Sequence, residues 1–312
     1  MSAAPRWLRR TLQAAGLTAA CWYLVHTAVT HRAELAAVPL ELHLAPLLLA
    51  SLLTVVTWFL LVRSWSLSLR WWAEELPLAT AIRIWFITNL SRFVPGAVWQ
   101  FAHVSAEALS ARVSPLAATG AILFQQLVLL GTGLALAASL APVLPTAAMG
   151  TLHPALALGV ASLGVAVVII FLPVITPVLE RWTSRLLRRD ITWPSPGRAE
   201  LTRYVGVLVL PWVAYGVAFW LFGRALLGDA APALLPAAAA FIGSYVAGII
   251  AVFAPGGLGV REAALVALLA PVVGPAPALL LAIASRLWLV ALEIVTALGV
   301  LGWHRGRVSP SE

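Results

Sequence analysis

Apolar positions in this chain run in long unbroken blocks instead of alternating with polar ones. A helix that crosses the hydrocarbon core of a bilayer needs about 20 mostly apolar residues. Windows of that kind occur at 11–30, 44–62, 116–141, 151–173, 204–227 and 276–303, so six full crossings are predicted. Two further apolar regions, 78–112 and 234–272, are each long enough for two half-crossings. Each is interrupted near its middle by a proline–glycine pair, Pro95-Gly96 and Pro255-Gly256. Proline removes a backbone donor and clashes with the preceding turn, and glycine permits the dihedral angles of a tight reversal. Both regions are therefore predicted to be re-entrant helical hairpins. The fold class that follows is all-α, a polytopic integral membrane protein forming one transmembrane domain over 1–312, with about six full spans plus two hairpins.

Composition agrees with the pattern. Of 312 residues, 62% are hydrophobic and 10% charged, where soluble domains carry about 25% charged residues. The longest hydrophilic segment, 180–203, has 24 residues, too few for an appended soluble catalytic domain. A net charge of +8 would suggest nucleic acid in a soluble protein. Here the basic residues, all 20 of them arginine, flank apolar spans, which is how membrane helices are oriented with basic loops in the cytoplasm. Nucleic acid is excluded as a partner on that ground. Cys21 is the sole cysteine, so no intramolecular disulfide forms.

Arginine placement also fixes a direction. With the N-terminus inside and both broken regions re-entrant, the cytoplasmic segments hold 13 arginines, among them Arg63, Arg70 and the six of the basic loop 180–203, against Arg32 alone outside. Full crossing by 78–112 would turn that loop outward, against the positive-inside rule. Both termini are therefore expected in the cytoplasm of a bacterial inner-membrane protein. Seven of the 14 tryptophans, Trp7, Trp65, Trp71, Trp72, Trp182, Trp193 and Trp303, fall beside the expected cytoplasmic interface. The segment 64–76 is read as an interfacial helix lying flat at the headgroups; the other reading is that its tryptophans fill helix contacts.

The two breaks share a constant offset. Phe93, Pro95 and Gly96 correspond to Phe253, Pro255 and Gly256, each 160 residues later. The same offset carries 44–62 onto 204–222 and 116–141 onto 276–301. The predicted repeat unit is helix, hairpin, helix, over about 44–141 and 204–303. An extra N-terminal helix at 11–30, a linking helix at 151–173 and the basic loop complete the chain. An odd number of crossings separates the units, so they are expected to be inverted. Inverted repeats with interrupted segments at matching positions are a recurrent transporter architecture, and the interruptions point to the substrate site.

The strongest local signal is 254–262, APGGLGVRE. Gly256, Gly257 and Gly259 would let backbone N–H groups converge on an anion, with Arg261 in the first turn of the following half-helix and Glu262 favoured there by the helix dipole. The plain reading makes the glycines turn residues and Arg261 a snorkelling charge.

This stretch, PGGLGVREAALVALL, closely resembles the signature of the lysylphosphatidylglycerol synthase transmembrane region family of flippase-like proteins. The resemblance extends to RFVPG at 92–96, to the helix at 116–141 and to Arg286, and covers about residues 10 to 303. It implies a membrane module associated, in two-part aminoacyl-phosphatidylglycerol proteins, with moving the modified lipid across the bilayer. It carries Arg92, Pro95 and Gly96 to the first hairpin, and Pro255, Gly256, Gly257, Gly259, Arg261 and Glu262 to the second. One departure is visible: many relatives place a Glu-Arg pair where this chain has Gln125-Gln126.

A charge at the centre of a membrane helix costs about 2.5 to 3.5 kcal/mol on insertion scales, so each is a functional candidate. Arg92, Glu107, Arg261, Glu262, Arg286 and Glu293 qualify. Arg286 and Glu293 share a helix face two turns apart, and Arg286 is the repeat-equivalent of Gln126. An ion pair of Arg286 with Glu262 that only holds helices together is the structural alternative. The six histidines show no metal-ligand spacing, and no nucleophile elbow or phosphate-binding loop is present. No catalytic residue, metal or cofactor is expected. Gly131 and Gly133 read as close-packing positions. The expected function is binding and translocation of a phosphate-bearing lipid, a membrane phospholipid or a polyprenyl phosphate. The rival readings are a membrane-embedded headgroup transferase and a non-catalytic partner that seats a lipid-modifying enzyme or glycosyltransferase through the basic loop.

Overall fold

The computed structural model describes residues 18, 22, 25–26, 29–36, 38–89, 98–145, 176–178, 180–182, 184–185, 194, 196–251 and 254–308. At 98–102, 255 and 304–308 it describes the backbone alone. Among the described residues, a five-residue helix at Arg32–Ala36 is followed by the helices α1 Leu44–Ser68, α2 Leu78–Asn89, α3 Val98–Ser110, α4 Pro115–Leu140, α5 Arg198–Leu227, α6 Leu234–Ile250, α7 Val260–Val273 and α8 Pro275–Val308, and the described residues within 176–185 are also helical. No strand occurs among the described residues. Short 3₁₀ turns extend α1 to Trp72, α4 to Val143 and α5 to Ala230.

Four described segments are long and apolar enough to cross a membrane: Leu44–Trp72, Pro115–Val143, Arg198–Ala230 and Pro275–Trp303. They match four of the six expected crossings. Of the other two, 11–30 lies mostly and 151–173 wholly outside the described residues. Two boundaries differ from expectation. The basic loop ends earlier, because Arg198 already opens α5. The segment 64–76 does not begin a separate flat helix, because α1 continues through Ser68 into the 3₁₀ turn ending at Trp72. Trp65 is fully buried and its indole Nε1 donates to the Ala118 carbonyl at 3.2 Å. The Trp71 ring packs edge-on against Phe124 and Tyr204. These side chains fill helix contacts, and the neighbouring helices satisfy the indole groups that headgroups would otherwise bind.

The lipid-facing and protein-facing sides of α1 are both apolar. Leu44, Leu48, Leu49, Leu52 and Val56 are exposed, and Trp58, Leu61, Val62 and Trp65 are buried. With hydrocarbon on the outside, helix association rests on close packing and on interhelical hydrogen bonds. Gly133 of α4 illustrates it: a Cβ there would meet Trp212 Cζ2 of α5 at 2.6 Å and Val246 Cγ2 of α6 at 2.9 Å. The Trp212 indole then donates to the Leu129 carbonyl at 3.1 Å and to Thr132 Oγ1 at 3.2 Å. Gly216 of α5 lies as close to Ala238 of α6.

Helices α1 and α5 run antiparallel. The segment before α1 meets the end of α5, where Glu41 N donates to Leu226 O at 3.0 Å and His43 N to Ala225 O at 2.9 Å. The end of α1 meets the start of α5, where Trp71 Nε1 donates to Glu200 Oε1 at 2.6 Å. Each half has the order long, short, short, long, and the long closing helices α4 and α8 begin at Pro115 and Pro275. Proline suits a first helical position, where its missing N–H is not needed. Helix neighbours also correspond: α4 packs on α6 and α8 on α2, α4 on α5 and α8 on α1, α1 on α4 and α5 on α8.

Candidate functional site

The site is built at the second break. Helix α6 ends at Ile250, and α7 starts at Val260 after a turn in which Gly256, Gly257 and Gly259 have φ of +59°, +71° and +81°. Only glycine enters that region without strain. Gly257 also needs its missing side chain for space: a Cβ there would lie 2.9 Å from Gly248 Cα and 3.0 Å from Gly248 O. The turn therefore presses directly on the α6 backbone. At 17 and 14 residues, α6 and α7 are about 25 Å and 21 Å long, each short of the roughly 30 Å hydrocarbon thickness.

Four charged side chains of this region are buried: Arg261, Glu262, Arg286 and Glu293. Glu262 reaches back one turn, and its Oε2 accepts from Gly259 N at 2.7 Å, capping α7 with the chain's own carboxylate. Its Oε1 lies 3.5 Å from Arg286 Nε of α8. Arg286 Nη2 in turn donates to the Gly256 carbonyl at 2.6 Å. One arginine thus braces both the turn and the carboxylate that caps the next helix. The Arg286–Glu262 ion pair, raised above as the structural alternative, is present.

Arg261 points elsewhere. Its guanidinium carbon sits 4.8 Å from the centroid of Phe241 and 4.5 Å from that of Tyr245, both on α6. Two turns along α8 from Arg286, Glu293 accepts from Asn89 Nδ2 at 2.6 Å. Asn89 is the last residue of α2, so α8 touches the second break through Arg286 and the helix entering the first broken region through Glu293.

The glycine amides differ from the convergent nest that the spacing suggested. Gly257 N donates to Ala254 O at 2.9 Å, and Gly259 N is taken by Glu262. The chain's own oxygens fill those two donors, because a helix N-terminus within an apolar surround needs an anion and Glu262 stands three residues along to supply it. Gly256, Gly257, Gly259, Arg261, Glu262 and Arg286 are brought together. Arg92, Pro95 and Gly96 lie outside the described residues, as does Phe253.

Glu107 belongs to a separate place. Its Oε2 pairs with Arg83 Nη2 at 3.2 Å, joining α2 to α3 within the first hairpin region. Gln125 is buried and donates from Nε2 to the Leu61 carbonyl at 2.8 Å, a helix-to-helix bond between α4 and α1. Gln126 is exposed, so it does not supply the inward polar group that its offset from Arg286 suggested. The residues that sequence reasoning missed are Arg83, Asn89, Phe241 and Tyr245. Arg83 carried the same signal as the other charges within apolar regions. The i, i+4 spacing of Phe241 and Tyr245 marked one helix face, with nothing to show that a cation lay on it. Among the described residues no group of three or more His, Cys, Asp or Glu is placed to hold a metal ion.

A family model described as lysylphosphatidylglycerol synthase TM region matches residues 13–299. The chain belongs to this family and is a multi-pass membrane protein. No curated protein is significantly similar to it in sequence.

Proposed function

We propose that this member of the lysylphosphatidylglycerol synthase TM region family binds a phosphate-bearing lipid, anionic or aminoacylated, and carries its headgroup across the bilayer between two opposed broken hairpins. The observation that carries the reading is the set of buried charges, Arg261, Glu262 and Arg286 at the second break and Glu293 two turns along α8 from Arg286. Four charges in a membrane interior are expensive, and their presence beside an interrupted helix is what a polar substrate's path requires.

The antiparallel run of α1 and α5, and the paired helix neighbours of the two halves, support an inverted repeat. The shortness of α6 and α7 supports a re-entrant hairpin, whose irregular turn at membrane depth is satisfied by protein groups instead of lipid. On this reading the second hairpin enters from one leaflet and the first, with Arg92, Pro95 and Gly96 at its break, from the other. The headgroup phosphate meets Arg261 and Arg92. Pro255, Gly256, Gly257 and Gly259 form the turn that sets Arg261 at the break, and Arg286 with Glu262 keeps the turn in place. Rocking of one repeat against the other then exposes the headgroup to each side in turn. The basic segments, including the loop at 180–203, face the cytoplasm of a bacterial inner membrane. No residue is assigned a catalytic role.

The test is reconstitution of the full chain in liposomes containing a trace of fluorescent phosphatidylglycerol or polyprenyl phosphate, followed by quenching of the outer leaflet with dithionite. Vesicles with protein should lose fluorescence beyond the outer-leaflet half far faster than empty ones. Equal rates for every anionic lipid tried, with and without an ion gradient, would replace translocation by the reading in which the chain seats a separate lipid-modifying enzyme.

A further inference from the structure

The first hairpin region carries a pair of charges that the matching positions of the second lack. Arg83 Nη2 of α2 stands 3.2 Å from Glu107 Oε2 of α3, and the two side chains are 29% and 25% exposed. The 160-residue offset between the halves takes Arg83 to Gly243 and Glu107 to Ala267. There the arms close by apolar contact instead: a Cβ on Gly243 of α6 would stand 3.2 Å from Leu268 Cδ1 of α7. Arms of this kind therefore hold together without charge, and an ion pair in that place is an addition that packing does not require.

The pair also lies near the open end of the two arms. Ser114, four residues past α3, donates from its N to Oε1 of Glu74, four residues before α2, at 3.1 Å. The start of α2 and the end of α3 thus lie at one level. Arg83 is five residues beyond the first residue of α2 and Glu107 three before the last of α3, about 7.5 Å and 4.5 Å along the axes. An arginine side chain that close to a helix end reaches the headgroup layer. Its fork of N–H donors matches phosphate as well as carboxylate, so a headgroup phosphate arriving there competes with Glu107 for the same cation. An ion pair exposed to this degree is weak enough to exchange. We infer that Arg83 is a contact for the phosphate of a lipid headgroup at the open end of the first hairpin, and that Glu107 holds the arginine until the phosphate displaces it. This rests on the lipid-binding reading above and deepens it, since that reading puts the phosphate only at Arg92 and Arg261.

The test measures binding of NBD-labelled phosphatidylglycerol, and of NBD-labelled diacylglycerol as the phosphate-free control, to the full chain in detergent. The variants are Arg83→Gln, Glu107→Gln and the two together, each also combined with Arg261→Gln. For phosphatidylglycerol, Arg83→Gln should raise half-saturation about tenfold, the worth of a hydrogen bond to a charged group. Glu107→Gln should lower it about two- to fivefold, because the arginine loses its internal competitor. The double variant should match Arg83→Gln alone, diacylglycerol binding should not change, and the shifts should persist with Arg261→Gln. A purely structural pair moves both single variants in the same direction, and a distant field effect adds in the double variant; either result, or no shift, would overturn the contact. So would shifts that vanish with Arg261→Gln, equal shifts for diacylglycerol, or displacement of the lipid by millimolar inorganic phosphate, which would make free phosphate the ligand. A parent that binds phosphatidylglycerol no tighter than diacylglycerol fails the lipid reading and this contact together. A preference for phosphatidylglycerol that Arg83→Gln and Glu107→Gln leave unchanged withdraws the Arg83 contact alone.

Discussion

The Arg286 guanidinium donates to the main-chain carbonyl of Gly256 at 2.6 Å, so the last span holds the second break by its backbone. The same side chain stands 3.5 Å from Glu262, which caps the helix leaving that break. Removing Arg286 takes the cation away from the buried Glu262 carboxylate, which keeps its bond from Gly259 N, and takes a donor away from the part-buried Gly256 carbonyl. Loss of one partner of a buried ion pair costs about 3–5 kcal/mol. Arg286→Ala is therefore expected to lower the thermal midpoint and the monodisperse yield in detergent. Arg286→Lys should fall between, since an ammonium keeps the charge without the planar fork that serves two acceptors. An Arg286→Ala protein as stable as the parent would remove the brace from this account.

Gly257 should tolerate no side chain. Its φ of +71° disfavours any L residue, and a Cβ would stand 2.9 Å from Gly248 Cα. Gly257→Ala is expected to destabilise by about 1–3 kcal/mol from the backbone conformation alone, and by more if α6 must shift. Gly299→Ala is the control, because nothing lies within 4 Å of a Cβ there; it should be neutral or gain up to about 1 kcal/mol of helix propensity. Thermal unfolding of the two variants in one detergent decides it, and equal midpoints would count against the close approach of the turn to α6.

The contact of Asn89 with Glu293 joins residues 204 apart in sequence, both buried. Asn89→Leu leaves the carboxylate without its amide donor and should cost about 1.5–3 kcal/mol, the range for hydrogen bonds to charged groups. Glu293→Gln keeps an acceptor for the same amide and should cost less. A double-mutant cycle with Asn89→Leu and Glu293→Leu is expected to show coupling of at least about 0.5 kcal/mol. Strict additivity would mean that the two side chains do not act as a pair.

Much of this architecture was legible in the sequence because the bilayer imposes length. Blocks of about 20 apolar residues mark spans, and a proline–glycine pair inside such a block marks a break. The charged residues of the second break were legible for the same reason, since each is anomalous where it stands. What each charge faces was not legible. Arg261 sits four residues from both Gly257 and Leu265, and its two rings lie 16 and 20 residues back on the other arm of the hairpin. Asn89 and Glu293 meet only because α8 returns beside α2. The partners of the tryptophans at 65, 71 and 72 were not legible for a further reason. In a helix apolar all round, hydrophobic periodicity does not separate the lipid side from the protein side, so an indole suited to headgroups looks the same as one buried between helices. The anion nest failed on a detail of spacing: Glu262, three residues after Gly259, takes an N–H that the nest would have offered a ligand.

The central claim is that an anionic headgroup passes the second break in contact with Arg261. Its most direct measurement is the ratio of leaflet-exchange rates for phosphatidylglycerol and phosphatidylcholine in the same proteoliposomes, for the parent and for Arg261→Gln at matched protein content. The account predicts faster exchange of phosphatidylglycerol by the parent, and a ratio falling towards one in the variant while its folded yield stays near that of the parent. A parent ratio of one, or a ratio unchanged by Arg261→Gln, would contradict it.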